Sequence, residues 1–146
     1  MNDPHPVISL VTLGVSDLAR SIAFYEALGF GRKAAGAQGV GFFQAGAVVL
    51  AVWPVSDLAQ DAKVTQSGSA PAFRGVALAW NCRSEADVDA AIERARKAGA
   101  SVPKAAQKTT WGGYAGYFAD PDGHLWEVAH NPDFPLTEDG RLIVPD

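Results

Sequence analysis

The sequence predicts an α+β protein built from two tandem βαβββ modules, residues 7–54 and 73–131, whose curved mixed sheets form a cup with the helices outside. Three observations lead there. A strand-like apolar run followed by an amphipathic helical run occurs once in each half. Each half then closes with apolar segments that flank glycine-containing turns, as antiparallel hairpins do. The closing segments also match by eye, Gly46-Ala47-Val48-Val49-Leu50-Ala51-Val52 beside Gly123-His124-Leu125-Trp126-Glu127-Val128-Ala129.

In the first module, residues 7–15 read as a strand with Val11, Leu13 and Val15 on one face and Leu10, Thr12 and Gly14 on the other. The first face should meet a helix. Ser16 or Asp17 caps that helix, Leu18, Ile22, Tyr25 and Leu28 form its apolar stripe, and Gly29 ends it. Residues 31–41 are punctuated by glycine, and Gly41-Phe42-Phe43 and residues 48–53 flank a short loop, Gln44-Ala45-Gly46-Ala47. Residues 55–72 hold no sustained period and many small or polar side chains, so they read as a linker or surface excursion.

The second module repeats the plan. Residues 75–80 form an apolar strand, Ser84 caps a helix with the stripe Val88, Ile92, Ala95 and Ala98, and Gly99 ends it. Residues 104–110 lead into Trp111 to Asn131, WGGYAGYFADPDGHLWEVAHN, which reads as two aromatic-rich strands reversing at Asp120-Pro121-Asp122-Gly123. In the last strand Leu125, Glu127 and Ala129 share one face, and Trp126, Val128 and His130 the other. A mid-strand carboxylate among apolar neighbours needs a partner, because burying an unpaired charge is costly. The tail, residues 132–146, has a turn at Asp139-Gly140 and should fold back over the body.

Bulk properties narrow the function. With 146 residues, net charge −4 and 48% hydrophobic content, the chain suits a single domain, 1–146. It has no basic run for nucleic acid or an anionic membrane and no apolar run near the roughly 20 residues a spanning helix needs. The N-terminus lacks a signal-like segment, so the expected location is the cytoplasm. The single cysteine, Cys82, excludes an internal disulfide and reads as a small buried hydrophobe.

Val11-Thr12-Leu13-Gly14-Val15-Ser16-Asp17-Leu18 with Ser21 and Phe24-Tyr25, and Phe118-Ala119-Asp120-Pro121-Asp122-Gly123-His124 with Glu127, resemble the vicinal oxygen chelate superfamily. That family includes glyoxalases, extradiol dioxygenases, fosfomycin-resistance proteins and bleomycin-sequestering proteins. The resemblance implies a homodimer whose two chains line each cup. It also implies a ligand pattern, in which metal-using members take one ligand, usually His, from each module's first strand and one carboxylate from its last. Carried over, the stations look like Leu10 and Gly75, then Leu50 and Glu127, of which only Glu127 can hold a cation through its side chain. A one-residue slip changes nothing, since residues 7–15, 42–53 and 73–80 contain no His, Asp or Glu.

One carboxylate is too few for zinc or iron. The expectation is therefore no metal or other cofactor, and a small molecule bound in the cup through Glu127, Trp111 and Tyr117, with Leu10, Thr12 and Leu50 completing the wall. Glu127 reads as an anchor or general base, or as a carboxylate merely satisfied by local donors. Trp126 is assigned to the core by alternation. The alternatives are a metal-dependent lyase, isomerase or dioxygenase whose ligands come from elsewhere (His5, His124 and His130 being the only imidazoles), and non-catalytic sequestration of an antibiotic or toxin.

Overall fold

A computed structural model describes residues 4–66 and 73–146. The elements are β1 (Leu10–Val15), α1 (Leu18–Leu28), β2 (Gly31–Lys33), β3 (Gly41–Ala45), β4 (Val48–Pro54), α2 (Val55–Ala62), β5 (Ala77–Asn81), α3 (Glu85–Ala98), β6 (Ser101–Lys108), β7 (Tyr114–Ala119) and β8 (Leu125–His130). They form two mixed four-stranded sheets, β1-β4-β3-β2 and β5-β8-β7-β6. In each, the first strand runs parallel to the last and the remaining pairs are antiparallel. This is the duplicated α+β plan expected from the sequence. No helix among the described residues is long and apolar enough to cross a membrane.

The two main helices begin and end where their chemistry dictates. Asp17 accepts from the Arg20 amide and Ser84 from the Asp87 amide, each satisfying a donor that the first turn leaves open. At their far ends Gly29 and Gly99 adopt the left-handed conformation that closes the last turn. Glu85 and Asp87 in the first turn of α3, and Arg96 and Lys97 in its last, also oppose the helix dipole. The α1 stripe buries Tyr25 and Leu28 as predicted, together with Ser21 and Phe24, whereas Ile22 stays half-buried.

One hydrophobic core draws on both modules. Tyr25 of α1 is fully buried, with its ring 5.9 Å from Phe43 in the first sheet and 6.0 Å from Trp126 in the second. Trp126 stacks on Phe118 at 5.7 Å, which places it on the helix-facing side, as alternation required. The Asp120 turn is held from the first module: Tyr25 donates to Asp120 Oδ2 at 2.7 Å, and the Ser16 amide and hydroxyl donate to Asp122 Oδ1 at 2.8 and 2.7 Å. Asp120 Oδ1 in turn accepts from the Asp122 and His124 amides. The motif residues at the two ends of the chain thus meet in one interlock.

Two segments depart from the sequence reading. Residues 31–41 contain a short strand, β2, paired with β3. The expected linker opens with α2, whose Val55, Leu58 and Ala59 form a half-buried stripe against β1 and β4. Eight residues give only two turns and no side chain caps the start, so little in the sequence announced it. Residues 67–72 of that linker lie outside the described residues. In the tail, Leu136 bridges Leu142, and Arg83 donates to the Thr137 and Glu138 carbonyls at 2.7 and 2.9 Å.

Candidate functional site

The helix-free face of the second sheet carries a polar row that includes its mid-strand carboxylate. Register pairs Ala79 of β5 with Glu127 of β8, Glu127 with Tyr117 of β7, and Tyr117 with Lys104 of β6. Directly opposed residues in a sheet point to the same face, so the row is contiguous. The Tyr117 hydroxyl donates to Glu127 Oε2 at 3.0 Å, which gives the mid-strand carboxylate the partner it needs. Burial, then that hydrogen bond, then the negative charge of Glu127 push the Tyr117 phenol above its ordinary value, so it stays a donor at neutral pH.

Glu127, Tyr117 and Lys104 line a pocket of about 190 Å³ together with Trp111. Trp111 is 47% exposed and its direction is fixed by the loop beneath it. The loop is closed by Thr109, whose Oγ1 accepts from the Gly113 amide at 2.9 Å and whose own amide donates to the Gly113 carbonyl at 3.0 Å. The indole lies against Gly113, where a Cβ would fall 1.8 Å from ring carbon Cζ3, so only glycine leaves it room. Three of the expected site residues, Trp111, Tyr117 and Glu127, are therefore brought together.

The other three are not. Leu10 is 43% exposed at the start of β1, and Thr12 lines a separate cleft of about 300 Å³ beside Arg74 and His124. Leu50 is 3% exposed in the core, opposite Val11 and Phe43. The expectation that Leu50 is the first-module counterpart of Glu127 is corrected here. The β3–β4 hairpin reverses on a core-facing pair, Ala45 and Val48, and the β7–β8 hairpin on a pair facing away from the core, Ala119 and Leu125. A match made through the turn glycines is therefore one residue out of step, and one residue changes the face. Gly75 likewise precedes β5, where Ala79 is the residue beside Glu127.

The donor set around Glu127 does not fit a divalent metal. Its neighbours in the row are an alanine and a phenol, and no group of three His, Cys, Asp or Glu gathers anywhere among the described residues. His124 is held between the Gly14 carbonyl and Arg74, at 2.8 and 2.9 Å, and His130 lies 3.1 Å from the Cys82 carbonyl. His5 is exposed outside any element. The Cys82 thiol is pushed up to about 11, by burial and then by the charge of Asp87, which makes it a poor nucleophile at neutral pH. Lys104 was not singled out from the sequence: it stands opposite Tyr117 only because register shifts flank it on both sides, and these leave no readable period.

Residues 7–128 match the family model of the Glyoxalase/Bleomycin resistance protein/Dioxygenase superfamily. Among solved structures, a glyoxalase-related enzyme from Fulvimarina pelagi is 36% identical, with a TM-score of 0.84 over 96% of this chain and 99% of that one. A glyoxalase/bleomycin resistance protein/dioxygenase from Nocardioides is 27% identical, with a TM-score of 0.74 over 88% and 85% of the two chains. A lactoylglutathione lyase from Agrobacterium tumefaciens, at 22% identity and a TM-score of 0.66 over 88% and 96%, shares the fold. No curated protein matches the chain significantly.

Proposed function

The chain belongs to the glyoxalase/bleomycin resistance protein/dioxygenase superfamily, and from that premise we propose that it binds a small ligand on the Glu127 face without a metal centre. The ligand is either held or transformed by proton transfer through Glu127. The observation that carries this reading is the hydrogen bond from Tyr117 to Glu127 at the wall of the pocket. It occupies Oε2, orients the carboxylate and leaves Oε1 to accept from a ligand. Trp111 supplies an apolar face above it, and a pocket needs little more than such a face and a few polar anchors to select a ligand.

The partner in this proposal is a second copy of the chain. Among the described residues β1 pairs only with β4 and β5 only with β8, so both first strands present free edges, and neither carries a charge. Ile8, Leu10 and Val76 along these edges are 70%, 43% and 61% exposed. Uncharged apolar edges invite pairing. A second copy covers them and brings its Leu10 and Thr12 toward the Glu127 pocket, which completes a wall that one chain leaves open.

Metal analysis after purification without chelators is the test. The expected result is no stoichiometric zinc, nickel, manganese or iron, and a tightly held equivalent would overturn the metal-free reading. In a thermal-shift screen over small metabolites and antibiotics, a ligand that stabilises the wild type should lose its effect in Glu127→Gln. An unchanged shift would remove Glu127 from the site.

A further inference from the structure

We infer that the pocket selects a compact zwitterion, a single ring bearing a cationic group at one end and a carboxylate at the other, with Lys104 reading the anionic end. This rests on the Glu127 reading above and adds the ligand class. Glu127 and Lys104 both line the pocket, on either side of Tyr117 in the row. Neighbouring strands lie about 4.8 Å apart, so residues two strands apart are separated by about 10 Å at the backbone. Tyr117 thus separates two opposite charges at the wall of one pocket, and a ligand carrying both signs can meet each of them.

The two charges do not neutralise each other. Among the described residues Lys104 forms no ion pair, whereas the other lysine of the pocket, Lys108, is held by Glu85 at 3.1 Å. The Tyr117 ring stands between Lys104 and Glu127, and its hydroxyl is committed to the carboxylate. A ligand with matched ends makes a charge-assisted contact with each, while Trp111 offers the ring a stacking face. The arrangement also rejects. A simple carboxylate meets the like charge of Glu127 and a simple amine that of Lys104, so specificity comes from both ends at once.

Calorimetry with three probes tests this: 4-(aminomethyl)benzoate, benzylamine and benzoate, at pH 7 and low salt, on wild type, Lys104→Met, Lys104→Arg and Glu127→Gln. The zwitterion should bind wild type at least tenfold more tightly than either fragment. Lys104→Met should reduce its affinity to the benzylamine level without weakening benzylamine, and Lys104→Arg should restore most of it. Equal affinities for zwitterion and benzylamine, or no loss in Lys104→Met, would overturn the inference while a loss in Glu127→Gln kept the Glu127 reading. Absence of zwitterion binding to wild type overturns it too. If Glu127→Gln binds all three probes as wild type does, both readings fall. Lys104 is exposed, so its substitution leaves the fold intact, and an unchanged melting temperature verifies that.

Discussion

The phenol of Tyr25 and the carboxylate of Asp120, 95 residues apart in the chain, meet at 2.7 Å in the buried seam between the two modules. Trp126 completes the contact by donating its indole N–H to the Tyr25 oxygen at 3.2 Å. Tyr25→Phe keeps the ring but leaves a buried carboxylate oxygen short of a donor and an indole N–H without an acceptor. Such orphaned groups cost about 1–3 kcal/mol. The expected outcome is a lower urea midpoint at unchanged slope, with the probe affinities of the Glu127 pocket unaltered. An unchanged midpoint would mean that the contact contributes nothing to holding the modules together.

The same seam sets the alkaline limit of the fold. Burial, followed by the charge of Asp120 and the hydrogen bond to it, raises the Tyr25 phenol far above its ordinary value. Cys82 is raised from 9.0 to about 11. For a group raised in the folded state, the stabilisation is complete below its unfolded value and is lost as pH climbs through the folded one. From pH 7 stability should therefore stay flat to about pH 9, fall from there as the Cys82 window opens, and fall further above the ordinary tyrosine value of about 10. Cys82→Ala should remove the first part of the decline and Tyr25→Phe most of the second, the remainder belonging to the more exposed Tyr114 and Tyr117, whose phenols are also raised. Urea titrations from pH 7 to 11 measure both, and a decline identical in all three proteins would contradict the assignment.

How much of this was legible follows from which interactions are local. Asp17, Gly29, Ser84 and Gly99 act within one turn of their own helix, and each was readable from spacing alone. Glu127 stood out because a charge in mid-strand breaks an apolar pattern, and Trp126 was placed correctly by period two. Leu50 was misplaced because turn glycines align the hairpins by sequence, whereas the face is set by the pair on which each hairpin reverses. Lys104 was invisible for a related reason, since register shifts interrupt the β6 ladder on both sides of it. Asp120 and Tyr25 carried the family resemblance, and the structure assigns them to packing between modules, a partnership across 95 residues that no local pattern encodes.

Gly113 should be as necessary to the pocket as the side chains that line it. A methyl group there would collide with the Trp111 ring at 1.8 Å and with the His130 carbonyl at 2.7 Å. The ring can swing away but the carbonyl cannot, so Gly113→Ala should both displace the indole and cost some stability. Tryptophan emission should change in Gly113→Ala relative to wild type, and that change should vanish when Trp111→Phe is present in both backgrounds. The affinity for 4-(aminomethyl)benzoate should fall several-fold, as loss of a stacking face worth about 0.5–1.5 kcal/mol requires. Unaltered emission would place the indole elsewhere.

The open edges of β1 and β5 make the oligomeric state a direct test of how the pocket is completed. Leu10 at the start of β1 and Val76 just before β5 are exposed and lie outside both the core cluster and the Glu127 pocket, so a charge at either position should leave the fold intact. Sedimentation equilibrium of the wild type should give a dimer at micromolar concentration. Leu10→Glu or Val76→Lys should shift it toward monomer, because an unpaired charge in an apolar interface is costly to desolvate. If the second copy supplies Leu10 and Thr12 to the pocket, the monomeric variants should also bind 4-(aminomethyl)benzoate more weakly, although every side chain of the Glu127 row is intact. Dilution of the wild type should weaken binding in parallel with dissociation. A wild type that is monomeric at tens of micromolar and still binds at full strength would instead assign the site to one chain, and the exposed edges would need another explanation.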